Sequence, residues 1–255
     1  MYKNFIFDLY GTLIDINTDE GIDMLWEKMA ILYGYNEANY TPEEFKNEYF
    51  RLAGEEEQKI VKMNNRELGR SDVHEAHPEI QLEYVFQKLF TNKGVEADMD
   101  MCIYMGQCFR VLSTRYIKLY EGTREMLDAV RKKGGKIYLL SNAQKIFTIY
   151  EMKMLGIYDC FDGIYISSDK MCKKPDVRFM QMLLDEYSLD VNESIMVGND
   201  LRSDIGSANK VGMDSLYIFS NLSPYEDEHK YKDANATYKL GSMDMKEITR
   251  ILLAD

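Results

Sequence analysis

The sequence predicts an α/β fold: a parallel sheet flanked by helices, interrupted after its first strand by an all-helical domain. Short apolar, β-branched or aromatic runs recur along the chain, and helical spacing with start and stop signals fills the intervals between the later ones. The stretch of about 120 residues after the first run shows helical periodicity and no convincing strand, which marks it as an insertion. A length of 255 residues suits one large domain or two unequal ones.

The strands are expected at Asn4–Asp8, Lys136–Asn142, Gly163–Asp169, Ser194–Asp200 and Asp214–Ser220, with a closing strand near Thr237–Leu240. Among the helices between them, one runs from Thr123 to Val130 and stops at Gly134 and Gly135. Another runs from Ser203 to Val211 and stops at Gly212. A last helix from about Met243 to Leu253 turns Ile248, Ile251 and Leu252 inward. The core therefore comprises residues 1–16 and 114–255, and the insertion residues 17–113.

Within the insertion, Thr41 and Glu44 form a capping box with Pro42 at the first helical position. Pro78 is expected to open a helix bearing Ile80, Tyr84, Val85 and Leu89, and a further helix covers about Met99 to Tyr116. Glu55–Gln58 and Asn64–Asp72 read as polar loops.

Composition excludes several classes of function. Hydrophobic residues at 45% and charged residues at 29%, with 19 tyrosines, 11 phenylalanines and one tryptophan, describe an ordinary folded chain with a sizeable core. A net charge of −12 repels phosphate backbones and anionic lipid, and no Lys/Arg run offsets it, so neither nucleic acid nor membrane is an expected partner. Asp8 and Asp15 break the first apolar run and no small-residue cleavage site follows, so no signal peptide is read and a cytoplasmic location is expected. Cys102, Cys108, Cys160 and Cys172 have neither zinc spacing nor the density of a disulfide scaffold and are expected as thiols. The 17 methionines are read as core filler. A monomer or homodimer is expected.

Polar residues stand at the carboxyl end of each core strand: Asp8, then Ser141 and Asn142, then Ser168 and Asp169, then Asn199 and Asp200. Those ends line the ligand crevice of an open parallel sheet. Any one of these residues alone would more often be a helix cap or turn residue, but their repetition points to a site. Both glycine-rich nucleotide-binding loops are absent.

With those residues in place, the chain resembles the haloacid dehalogenase superfamily, in the branch with a helical cap inserted after the first strand. The family's first motif, Asp-x-Asp-Gly-Thr after an apolar run, is similar to Phe7-Asp8-Leu9-Tyr10-Gly11-Thr12-Leu13. The second matches Leu139-Leu140-Ser141-Asn142, the third Lys173-Lys174-Pro175-Asp176, and the fourth Val197-Gly198-Asn199-Asp200 followed by Asp204. The resemblance implies a Rossmann-like core, an aspartyl nucleophile at Asp8, and Mg2+ held by Asp8, the Tyr10 carbonyl and Asp200, with Asp204 as support or occasional ligand. It also implies that Lys174 supplies countercharge and contacts the substrate, that Thr12 and Ser141 offer hydroxyls, and that Ser141, Asn142 and the amides beside it bind a small anionic substrate. The charge requirement has its own basis: a carboxylate meeting a phosphate dianion is repelled by about 1 kcal/mol per charge pair at 4 Å in water.

Tyr10 departs from this pattern. Family phosphatases usually carry a second aspartate two residues after the nucleophile, for proton transfer to the leaving group. The 2-haloacid dehalogenases carry tyrosine there, since halide leaves unprotonated. The acidic fourth motif, Asp200 and Asp204, keeps the phosphatase form, and Met180 stands where the dehalogenases have a tyrosine. A magnesium-dependent phosphatase is therefore the expected function, with a metal-independent dehalogenase, or a weakly catalytic binding protein, as the alternatives.

Cap residues are less informative. Trp26, spaced with Leu25, Met29 and Leu32, reads as core. Arg66, Arg70, Arg110 and Arg115 could grip an anionic tail, but a solvated helix-face charge is the expected reading for each of them. His74 and His77 lie on a polar segment and no histidine is assigned a catalytic role.

Overall fold

The computed structural model describes residues 2–68 and 78–254. Its centre is a six-stranded, wholly parallel sheet in the order β5-β4-β1-β6-β7-β8. β1 (Asn4–Phe7) is buried along its whole length because β4 (Lys136–Ser141) and β6 (Ser194–Gly198) pair with it on either side, in register at Asn4 with both Lys136 and Ser194. Continuous apolar runs are what a strand covered on both faces requires. The nucleophile candidate thus emerges from the middle of the sheet.

After β1 the chain forms β2 (Ile14–Thr18), then the insertion: α1 (Asp23–Gly34), α2 (Pro42–Leu68), α3 (Leu82–Thr91) and α4 (Met99–Ser113). It returns through β3 (Thr114–Leu119) and α5 (Thr123–Lys132) to β4. Then follow α6 (Lys145–Met154), β5 (Gly163–Ile166), the single turn α7 (Ser167–Lys170), α8 (Val177–Tyr187) and β6. A wide π-type turn at Leu201–Ile205 runs into α9 (Gly206–Val211), which ends at Gly212 in the left-handed conformation. β7 (Asp214–Ile218), α10 (Asp227–Lys230), β8 (Tyr238–Leu240) and α11 (Met245–Leu252) complete the fold.

The structure corrects five sequence expectations. β2 and β3 pair as an antiparallel ribbon, so the stretch after the first strand is not wholly helical. Asp15 interrupts the apolar pattern of β2, and its charge is satisfied only across the fold, by Tyr116, Asn221 and Lys118. The expected helix to Tyr116 stops at Ser113, because the β-branched and aromatic residues from Thr114 onward belong to β3. Glu55–Gln58 is helical, inside α2, where Glu56 is buried and paired with Lys88 at 2.6 Å. Pro78 forms a lone bridge to Cys172 and does not start a helix; α3 begins at Leu82, whose amide is capped by Gln144 of the core at 3.1 Å. The second expected loop, Asn64–Asp72, is helical as far as Leu68, and the rest lies outside the described residues. Arg70, His74 and His77, and the side chain of Arg66, also lie outside them.

The capping box forms as expected, with the Glu44 amide on Thr41 Oγ1 at 3.2 Å. Trp26 is core: it is 2% exposed and tilted against Tyr49 and Phe109 at centroid distances of 5.5 and 5.7 Å. That aromatic cluster does not stop at the insertion. Ile146 and Phe147 of α6 are buried within it, against Gly106 and Phe86 of the insertion helices. A Cβ on Gly106 would lie 2.5 Å from Ile146 Cδ1, so the helices meet here because one of them lacks a side chain.

Phe109 is fully buried at the centre of this cluster. Phe109→Ala is expected to cost about 3–5 kcal/mol, read as a lower urea midpoint in equilibrium unfolding. An unchanged midpoint would show that the cluster contributes little to stability.

Candidate active site

The carboxyl ends of β1, β4 and β6 converge, and the loops leaving them carry the predicted residues. Two glycines make the convergence possible. Gly11, at φ +84°, turns the loop after Asp8, and a Cβ there would lie 2.3 Å from Asn199 Nδ2. A Cβ on Gly198 would lie 2.2 Å from Asp204 Oδ2. No side chain fits at either position.

Lys174 is the hub. Its side chain is 1% exposed, and its ammonium donates to Asp8 Oδ1 at 2.7 Å, to Asp204 Oδ1 at 2.7 Å and to the Leu140 carbonyl at 2.6 Å. An ammonium has three donors, so the group is saturated. It serves as countercharge and has no donor left for a substrate. Burial opposes its charge, but Asp204 and Asp8 more than compensate and hold its pKa above the usual lysine value. The backbone of Lys174 is clasped by Asn142, whose Oδ1 accepts from the lysine amide at 2.8 Å and whose Nδ2 donates to the lysine carbonyl at 2.9 Å. The Asn142 side chain thus positions Lys174 with one of its two amide N–H donors and its oxygen.

Two of the expected anion-binding amides beside Asn142 are occupied. Ala143 N donates to Ser167 Oγ at 2.8 Å and Lys145 N to Ser168 Oγ at 2.9 Å. The two serines at the end of β5 cap α6, and Asp169 pairs with Lys145. Ser141 differs: its hydroxyl is buried and unpartnered. A buried hydroxyl left without a partner costs about 1–3 kcal/mol, a cost that a ligand accepting its proton removes. Thr12 is buried and donates to Asn199 Oδ1 at 3.3 Å.

Asp204 uses both carboxylate oxygens, Oδ1 on Lys174 and Oδ2 on the Asp200 amide at 3.0 Å. It therefore supports the site through both oxygens, the role of support that the resemblance implied for it. Burial, reinforced by Asp8 and Asp200, pushes its pKa up to about 7 against the pull of Lys174. Asp200 caps the following turn through Oδ1, which accepts from the Arg202 and Ser203 amides. That leaves Asp200 Oδ2, Asp8 Oδ2 and the Tyr10 carbonyl.

Three carboxylates around one ammonium leave an excess of negative charge that a divalent cation would neutralise. Among the described residues no three acidic, histidine or cysteine side chains form a ready-made metal cage. The donor set suits Mg2+ all the same, since that ion keeps several waters and takes one or two carboxylates.

Tyr10 does not face this charge cluster with a free hydroxyl. Its OH donates to Glu151 Oε2 and lies 3.1 Å from Thr148 Oγ1, both on α6. Arg110 of α4 donates to Glu151 Oε1 at 2.6 Å and sits over the Tyr10 and Phe147 rings at 5.6 and 5.3 Å. Burial first, and the Glu151 carboxylate second, raise the Tyr10 pKa far above its ordinary value, so the phenol keeps its proton. The sequence reading missed Glu151 and Thr148. Their spacing of three residues on a helix just after the second motif was the available signal.

A cleft of about 510 Å³ opens beside these groups, lined by Tyr10, Asn17, Thr18, Arg110, Asn142 and Phe147 among others. Leu82 and Gln144 also line it, and in the segment before α3 Glu79 accepts from Ser167 at 3.0 Å and Gln144 at 3.2 Å.

Among known proteins, the chain is 21% identical to a pyrimidine 5′-nucleotidase of Streptococcus pneumoniae, over 94% of this chain and 92% of that one. It is 27% identical to a glyceraldehyde 3-phosphate phosphatase of Methanothermobacter thermautotrophicus over 46% of this chain and 52% of that one, so it spans about half the length of this relative. The crystal structure of a HAD phosphatase from Thermococcus onnurineus shares the fold, with a TM-score of 0.58 at 19% identity over 99% of both chains. The profile of the haloacid dehalogenase-like hydrolases matches residues 2–212. With the four motifs assembled at one end of a parallel sheet and that match over most of its length, the chain belongs to the haloacid dehalogenase-like hydrolases.

Proposed function

We propose that this hydrolase is a phosphatase for small phosphate esters and that Asp8 is its nucleophile. The observation that carries the reading is the state of Asp8: Oδ1 is fixed by the saturated Lys174 ammonium, while Oδ2 takes no hydrogen bond from a described residue and adjoins an excess of negative charge. A fixed carboxylate with one free oxygen is oriented for attack. A dehalogenase substrate, bearing one carboxylate, gives no reason for a second and third acid at the site.

Asp8 Oδ2 forms a bond to phosphorus as the ester oxygen departs with its electron pair, and water then hydrolyses the aspartyl phosphate. Asp8, Asp200 and the Tyr10 carbonyl would hold Mg2+, which supplies the positive charge that lets a carboxylate approach a phosphate dianion. Lys174 holds Asp8 in position, Asn142 fixes Lys174, and the Ser141 hydroxyl is free to donate to a phosphate oxygen. Tyr10 transfers no proton, because its own is held against Glu151. The tyrosine is also the one feature favouring the dehalogenase reading, since halide leaves without an acid.

The test is phosphate release from p-nitrophenyl phosphate and halide release from a 2-haloacid, each with magnesium and with chelator. Magnesium-dependent phosphate release that disappears in Asp8→Asn is expected. Chelator-resistant halide release with no phosphate release would overturn the assignment.

Ser141→Ala should leave stability unchanged or raise it by up to about 1–3 kcal/mol, because an unsatisfied buried hydroxyl is removed. The same variant should weaken inhibition by inorganic phosphate. Thermal unfolding and inhibition constants check the two halves separately.

With no acid at position 10, esters with acidic leaving groups should be favoured over alkyl phosphates. Tyr10→Asp is expected to raise turnover of an alkyl phosphate, where general acid–base catalysis is worth roughly 10²–10⁴-fold, and to change nitrophenyl phosphate turnover far less. Equal effects on both esters would show that the proton comes from elsewhere.

A further inference from the structure

We infer that Arg110 recognises a second anionic group on the substrate, so that the ester hydrolysed here carries a carboxylate or a further phosphate beside the scissile one; this rests on the phosphatase reading of the same site. The guanidinium comes from α4 and reaches the cleft that Tyr10 and Asn142 also line. Among the cleft's described lining residues it is the one cation, and the nearby Lys174 ammonium has no donor to spare. In a chain of net charge −12, an anionic tail entering this cleft meets attraction at Arg110 and little elsewhere.

The geometry of Arg110 is that of a preset recognition group. Its side chain is 17% exposed, and Glu151 occupies one edge through Nε at 2.6 Å and Nη2 at 3.4 Å. The rings of Tyr10 and Phe147 bracket the guanidinium, which fixes its orientation. The opposite edge, Nη1, has no carboxylate partner among the described residues. A guanidinium offers five donors in a planar fork, so the free edge can take an oxyanion while Glu151 holds the other, and the ordering of a long side chain has already occurred before the substrate arrives. Position 10 presents Arg110 with a neutral phenol, whereas an aspartate there would compete with the substrate's anion for its charge.

Glu20 lines the same cleft and is its one described carboxylate. If it dominated, the cleft would select a cationic tail, and the two possibilities are separable. Titration calorimetry of the magnesium-loaded wild type with three non-hydrolysable probes, phosphonoacetate, methylphosphonate and 2-aminoethylphosphonate, measures the preference directly. Phosphonoacetate is expected to bind at least about tenfold more tightly than methylphosphonate. Arg110→Met should bring that ratio close to one, and Arg110→Lys, which keeps the charge facing Glu151 but loses the fork, should give an intermediate ratio. The wild-type ratio alone tests the inference should a variant fail to fold. Equal binding of phosphonoacetate and methylphosphonate, or tighter binding of the aminoethyl probe, overturns it while nitrophenyl phosphate turnover leaves the phosphatase reading standing. Absence of both probe binding and turnover defeats the two together.

Discussion

The buried Lys174 ammonium is the constraint on which the site depends. It accepts nothing and must donate three times, so three separate pieces of chain have to present oxygen to one point: Asp8 after β1, Leu140 in β4 and Asp204 after β6. Removing one partner from a buried, hydrogen-bonded ion pair typically costs about 3–5 kcal/mol, because a charge is left buried and uncompensated. Around that point the other demands follow in order. Gly198 lacks a side chain because Asp204 occupies its space, and Asn142 clasps the lysine backbone from both sides. The central place of β1 in the sheet brings Asp8 within reach of both neighbours.

Such an arrangement is electrostatically incomplete. Asp204 is held between one cation and two carboxylates, and burial makes the imbalance felt as a raised pKa. Nearby, the Tyr10 network is balanced: Glu151 is met by Arg110 and by the Tyr10 hydroxyl. On the readings proposed above, the first cluster takes a ligand of positive charge and the second offers the unpaired edge of Arg110 to one of negative charge.

The second cluster also joins the two parts of the chain. Arg110 belongs to the inserted helices and Glu151 to α6 of the core, while Ile146 and Phe147, also on α6, are buried in the insertion's aromatic cluster. The β2–β3 ribbon ties the base of the insertion to the core, and the segment before α3 is pinned by Glu79 and Gln144. A change in how the insertion sits on the core would therefore act on Arg110 and, through Glu151, on the residue two places after Asp8.

Much of this was readable in the sequence, for a local reason. Strands buried on both faces appear as short apolar runs, and the residue that ends each run must lie at the sheet's edge, so Asp8, Ser141, Asn199 and Asp200 could be placed together from position alone. Trp26 and the Thr41 capping box were equally local and equally legible. What each polar group does there was decided elsewhere. Asn142 and the amides near it looked free for an anion until residues 23 to 32 positions away bonded to them. Asp204 could be read as support or as an occasional ligand, and its partners, the lysine and a backbone amide, appear only in the folded chain. β2 and β3 pair across about a hundred residues of chain, so neither strand shows in its own window. Periodicity and terminal residues are properties of neighbours in sequence and determined the fold and the address of the site. Hydrogen-bond partnership, burial and charge balance are properties of neighbours in space, and only the tertiary structure decided which of the assembled groups were left free to act.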